Sequence, residues 1–253
     1  MAFKTDGSVH HEGIKEEKNI KNDIPLLSKV FGLSSKAVID HKGGTQHKAD
    51  IQINDGKRTV SVSIKKKKKI TRGSYDYVNS SAALTSSIFD NVKEEAKRIK
   101  KSENSVSTER KAFNAVCHET MKKMTSKDLK QILTEHVLKA NLNMDVLISE
   151  TSTKAVYTFK FKDMPLAESI KKYTPKFKWK RGKTSAKIIF EDDQGNIYDH
   201  NIRGRLVSNN GISAMMGKSK NNKYSQPVFK IQQDRVNIML KELTDKNIAK
   251  KWR

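Results

Sequence analysis

The segment from Ala49 to Lys65 restricts the fold more than any other part of the chain. Ala49, Ile51 and Ile53 alternate with Asp50, Gln52 and Asn54; beyond Asn54-Asp55-Gly56-Lys57, Val60, Val62 and Ile64 alternate with Ser61, Ser63 and Lys65. A period of two belongs to a strand with one buried face. Asp-Gly between two such runs is a hairpin signal, because the tight turns that join twisted strands need positive φ. With Asp55-Gly56 as a two-residue loop, Asn54 pairs with Lys57 and Asp50 lies opposite Ser61. Asp50, Ser61, Ser63 and Lys65 then share one face, and Ala49, Ile51, Val60, Val62 and Ile64 share the other. The second face is apolar and ready to pack on helices. The first brings a carboxylate and a lysine together.

Around this hairpin the periodicity predicts mixed structure. Ile14, Ile20, Ile24, Leu27, Val30 and Phe31 recur at mostly helical intervals, so a helix is expected from about 11 to 31, bent near Pro25 and stopped at Gly32. Residues 73–81 read as a polar stretch carrying Tyr75, Tyr77 and Asn79, with Ser80 or Ser81 capping a helix that starts at 83. Further helices are expected over about 83–101, 108–124, 126–140 and 232–243. Strands are expected over about 144–149, 154–161, 185–191 and 197–207, the last two joined by the turn Asp193-Gln194-Gly195-Asn196. Met215 and Met216 read as core. Asn104-Ser105-Val106-Ser107 is the one modest linker signal and divides the chain into residues 1–105 and 106–253.

Charge narrows the class of partner. There are 51 Lys and Arg against 28 Asp and Glu, a formal net charge of +23. That excess exceeds what solubility requires and points to a polyanion. Membrane-surface binders gather their cations beside an apolar face, whereas here the charge runs along the whole chain. No apolar run is long enough to span a bilayer and the first residues are polar, so a soluble, cytoplasmic protein without a membrane partner is expected. Cys117 is the only cysteine, which rules out an intrachain disulfide and zinc sites built from several thiolates. A metal here would be held by oxygen.

Lys48-Ala49-Asp50, a turn, and Ser63-Ile64-Lys65 at the end of the following strand resemble the PD-(D/E)xK motif of restriction-endonuclease-like nucleases. The approach Gly43-Gly44-Thr45-Gln46-His47 is similar to lead-ins before that aspartate, and the likeness covers about residues 10–100. It implies an α/β (α+β) fold, a restriction-endonuclease-like mixed sheet flanked by helices, to which the periodicity adds a helix-plus-strand C-terminal region. It implies a restriction- or homing-type DNA endonuclease, with Mg2+ or Mn2+ held by Asp50 and the Ile64 carbonyl. Lys65 then assists water attack, as backbone hydrolysis requires a polarised phosphate and an oriented nucleophile. The second acid of the motif is replaced by Ser63. The resemblance therefore implies a recruited acid: Glu16 on the first helix before Glu17 and Glu12, or Asp76, Asp90, Glu94 or Glu95 beyond the hairpin. It also allows a homodimer for double-strand cutting.

Basic residues next to these motifs are the expected DNA contacts: Lys48, Lys67, Lys69 and Arg72, then Lys176, Lys178, Lys180 and Arg181. Around the second group, Tyr173, Phe177 and Trp179 interleave with lysines. Either those aromatics stack on bases, or an edge strand buries them while the lysines stay wet. Asp199-His200-Asn201 lacks the partner ligands of a histidine-metal nuclease. The reading from a different class is a non-catalytic nucleic-acid-binding protein with a degenerate nuclease core, which Ser63 favours; an RNA-binding protein fits the charge as well.

Overall fold

The computed structural model describes residues 15, 18–34, 36–42, 49–67, 70, 75–179, 185–220 and 224–252. The chain forms a mixed α/β fold with two sheets, divided into two compact units. The first gathers residues 1–73, 140–168 and 235–253, and the second gathers 74–139 and 169–234. Residues 104–107 thus lie inside the second unit, and the first is completed by two segments distant in sequence.

In the first unit, residues 18–22 are helical, the helix is interrupted at Asp23, and α1 follows over Ile24–Phe31. The interruption has a local cause: Asp23 accepts the Leu26 N–H at 3.1 Å as an N-cap, and Pro25 occupies the first turn, where it costs no hydrogen bond. Gly32 ends α1 at φ +59°. The sheet has the order β1 (Val38–His41), β2 (Ile51–Asn54), β3 (Thr59–Lys67), β5 (Met144–Glu150), β6 (Val156–Lys160), β11 (Lys250–Lys251). Strands β3 and β5 are parallel and the other pairs antiparallel, so the sheet is mixed. Leu26 and Leu27 of α1 pack with Ile51, Ile53, Val60, Val62, Ile64 and Leu147 in one buried cluster. The face expected to be apolar is the core face.

The hairpin register corrects the expected one. Asn54 pairs with Thr59 and Ile51 with Val62, and the Asp50 N–H donates to the Val62 carbonyl at 2.9 Å. The turn is centred on Gly56-Lys57, with Gly56 in its first position at φ +81° while Asp55 has negative φ. The Asp55 carboxylate is the reason. It accepts the N–H groups of Lys57 and Arg58, both at 3.0 Å, and those bonds hold it below the usual carboxylate range. Every pair slips by two residues, which preserves both faces. Asp50, one residue beyond the last ladder pair, therefore comes beside Ser63, whose Oγ donates to it at 3.2 Å, instead of beside Ser61.

The second unit is a five-stranded antiparallel sheet of order β4 (Tyr75–Ser80), β10 (Pro227–Gln233), β9 (Ile197–Ser208), β8 (Ala186–Glu191), β7 (Thr174–Lys178). Its helices are α2 (Asp90–Lys100), α3 (Val106–Lys123) and α4 (Ser126–Ile132), the last continuing as a π-helix over Leu133–Lys139. Residues 73–81, expected as a loop, contain β4. A bulge opposite Ile231 and Gln232 sends both Tyr77 and Val78 inward, so the strand does not alternate. No helix starts at 83. Ser80 Oγ accepts the Ala82 N–H in a turn, and Ser86 caps a 3-10 turn over Ser87–Phe89 that leads into α2. Likewise β10 takes residues 227–233, so the following helix, α7 (Val236–Asp245), starts later than expected; α5 (Pro165–Lys172) and α6 (Ile212–Met215) are the other α-helices among the described residues. Met215 and Met216 are buried as expected.

On the core face of this sheet Gly204 has no room for a side chain: a Cβ would stand 3.1 Å from Phe177 Cε1 and 3.3 Å from Ile188 Cδ1. Gly204→Ala is expected to cost about 1–3 kcal/mol by overpacking. Urea denaturation measures this, and an unchanged midpoint would show that Phe177 yields freely.

Candidate functional site

Asp50 stands just before β2, with its N–H on the Val62 carbonyl of β3 and its side chain beside Ser63. Its Oδ2 accepts three donors: the Ile64 N–H at 2.6 Å, Ser63 Oγ at 3.2 Å, and Lys65 Nζ in an ion pair at 3.6 Å. The local sequence explains this convergence. The ladder ends at Ile51–Val62 and leaves Asp50 beside Ser63, alternation returns Lys65 to the same face as Ser63, and β2 has no residue left to bond the Ile64 N–H. The two side chains keep 17% and 25% of their exposure for Asp50 and Lys65, so they are sheltered but reachable. Among the described residues Oδ1 takes no hydrogen bond or ion pair. The Ile64 carbonyl leaves β3 on the same edge as its N–H, hence toward Asp50.

Of the residues expected here, Asp50, Ser63, Ile64 and Lys65 come together. Lys67 shares their face by alternation, and Lys66 is exposed on the other. Glu12, Glu16, Glu17, Lys48, Lys69, Arg72, Lys180 and Arg181 lie outside the described residues. Asp76, Asp90, Glu94 and Glu95 belong to the second unit and are each engaged there: with Lys230 at 3.0 Å, Lys93 at 2.9 Å, Lys97 at 2.7 Å and Arg98 at 2.7 Å. Lys176 pairs with Glu191 at 2.7 Å, and Lys178 is exposed. Strand β7 is an edge strand with Phe177 and Trp179 half-buried, and Trp179 packs edge-on to His118 at 4.9 Å. His200 Nε2 sits 2.7 Å from Ser169 Oγ.

One acid on the polar face escaped sequence reasoning. Glu150 of β5 is in register with Lys67. Its oxygens accept the Ile70 N–H at 2.9 Å and Thr153 Oγ1 at 2.6 Å, the second chiefly lowering its pKa. Measured along the strand it is about 13 Å beyond the level of Asp50, too far to share an ion with it. Its place depends on a parallel pairing between β3 and β5, which no local signal carries.

The donors at the hairpin are all oxygen, the kind that hard divalent cations take. In number they fall short, and among the described residues no group of three His, Cys, Asp or Glu side chains converges. No helix there is long and apolar enough to cross a membrane. No protein-family model, curated protein or solved structure matches the chain.

Proposed function

We propose that the first unit is the core of a Mg2+- or Mn2+-dependent DNA endonuclease of restriction or homing type, with the hairpin face as its catalytic site. The observation that carries this reading is the geometry at Asp50: one carboxylate oxygen is fixed by the Ile64 N–H and Lys65, and the other is unpaired among the described residues. Asp50 Oδ1 and the Ile64 carbonyl would hold the ion, with Glu16 as the first choice for the missing acid. When bound, the ion polarises the scissile phosphate and lowers the pKa of water. Lys65, held beside Asp50 Oδ2 at 3.6 Å, would orient the attacking water and offset the charge that develops on the phosphoryl oxygens. Ser63 keeps Asp50 in place through its hydroxyl.

Ser63 also favours a second reading, a DNA-binding protein whose nuclease core has decayed, since its hydroxyl brings no charge where the motif has an acid. A supercoiled plasmid separates the two. The catalytic reading expects nicked or linear product with magnesium or manganese and none with EDTA; intact plasmid at all metal concentrations, with DNA still bound, would leave the second reading.

A further inference from the structure

The second sheet buries one face and turns polar side chains to the other. On that polar face the register aligns a row across all five strands: Lys178 opposite Lys187, Lys187 opposite Arg203, Arg203 opposite Gln232, and Gln232 opposite Asp76. A step away, Arg205 lies opposite Lys230. Carboxylates steady three of these cations. Lys187 pairs with Asp199, Lys230 with Asp76 at 3.0 Å, and Arg203 approaches Asp234 at 3.3 Å.

Arg205 is different. Its guanidinium makes no hydrogen bond and no ion pair with any described residue, although its Nε is buried. Burial first, and then the neighbouring Arg203, push its pKa down. Among the described residues four buried side-chain polar atoms make no hydrogen bond, and three of them, Arg203 Nε, Arg205 Nε and Gln232 Oε1, are neighbours on this face; Arg203 Nε has its ion pair with Asp234, whereas Arg205 Nε and Gln232 Oε1 have none. Unsatisfied buried groups are costly and rare, and such a cluster points to a partner that supplies acceptors and negative charge. Gln232 Nε2 is committed to Asp76 at 2.6 Å, so its Oε1 is left requiring a donor. The two arginines require acceptors and negative charge, which a row of backbone phosphates supplies.

We infer that this face binds the backbone of duplex DNA, with Arg203 and Arg205 on phosphate oxygens and Lys178 and Lys187 extending the grip toward the edge strand. The inference rests on DNA as the partner, as proposed above, and not on cleavage. A net charge of +23 supplies the long-range attraction. Nothing in the sequence periodicity separates these arginines from ordinary solvated strand residues.

The test measures binding of a labelled mixed-sequence duplex to the full chain without divalent metal, by fluorescence anisotropy over a range of salt. Combining Arg203→Gln with Arg205→Met is expected to weaken binding on the order of tenfold or more at low salt. The slope of log K against log salt should fall by about 0.9 for each phosphate the variant no longer neutralises. Arg205→Lys, which keeps the charge, should recover part of the affinity. Unchanged affinity and slope would overturn the inference, as would loss of binding to phosphatidylserine vesicles or structured RNA with duplex binding intact. Thermal melting of each variant identifies misfolding, in which case Arg205→Met alone decides by the same readouts. Failure of the catalytic reading is seen separately: a wild-type protein that never cuts with magnesium can still lose duplex binding in the arginine variants.

Discussion

Asp50→Asn is expected to reduce plasmid cleavage on the order of a thousandfold or more while duplex binding measured in EDTA changes little. The substitution keeps an acceptor for the Ile64 N–H, bonded at 2.6 Å, and keeps the shape of the side chain. What it removes is the charge that would bind the ion, and with it the polarised phosphate and activated water. Lys65→Met is expected to lose roughly 10²- to 10⁴-fold, the usual range for a positioned proton-transfer group. Cleavage near the wild-type rate in both variants would remove the hairpin from the mechanism. Loss of folding is guarded against by the melting temperature, since both side chains are partly exposed.

A large effect of another kind is expected from Glu109→Gln. Glu109 is fully buried in α3, and its carboxylate accepts from the Arg98 guanidinium, from Ser102 Oγ at 2.5 Å and from Asn104 Nδ2 at 2.7 Å. Foremost the Arg98 hydrogen bond, then those of Ser102 and Asn104, lower its pKa from 4.5 to about 2. The depressed value means that the folded state favours the ionised form. The stabilisation is therefore fully present above about 4.5 and is lost as pH falls toward about 2. At neutral pH the variant leaves Arg98 with Glu95 as its one carboxylate and puts a neutral amide in the buried position, and its melting temperature should fall by roughly 5 °C. The gap from wild type should close as pH drops through that window. Equal melting at pH 7, or a gap that ignores pH, would show that the pair contributes nothing.

The hairpin was legible because its information is local. Alternation of Ile51, Ile53, Val60, Val62 and Ile64 defines both faces whatever the register, so the partnership of Asp50 with Lys65 survived a slip of two residues. The register itself turned on Asp55, whose side chain captures two backbone N–H groups and moves the turn to Gly56-Lys57. Strand β4 was missed because its bulge breaks the period of two at Tyr77 and Val78. The unit division was missed for a different reason: β3 pairs with β5 across the whole of residues 68–143, and parallel pairing leaves no mark in the intervening sequence. Arg203 and Arg205 look like any wet strand residues until the sheet sets them beside Gln232.

The last strand of the first unit carries a consequence for biosynthesis. Lys250 and Lys251 pair with β6, the Trp252 N–H donates to the Val156 carbonyl at 2.9 Å, and the Trp252 ring packs on the core cluster. A ribosome delivers the Asp50 hairpin early, yet the opposite edge of its sheet is covered only after residue 252 has left the exit tunnel. The first unit is therefore complete only when chain from three separate stretches, 1–73, 140–168 and 235–253, has been made.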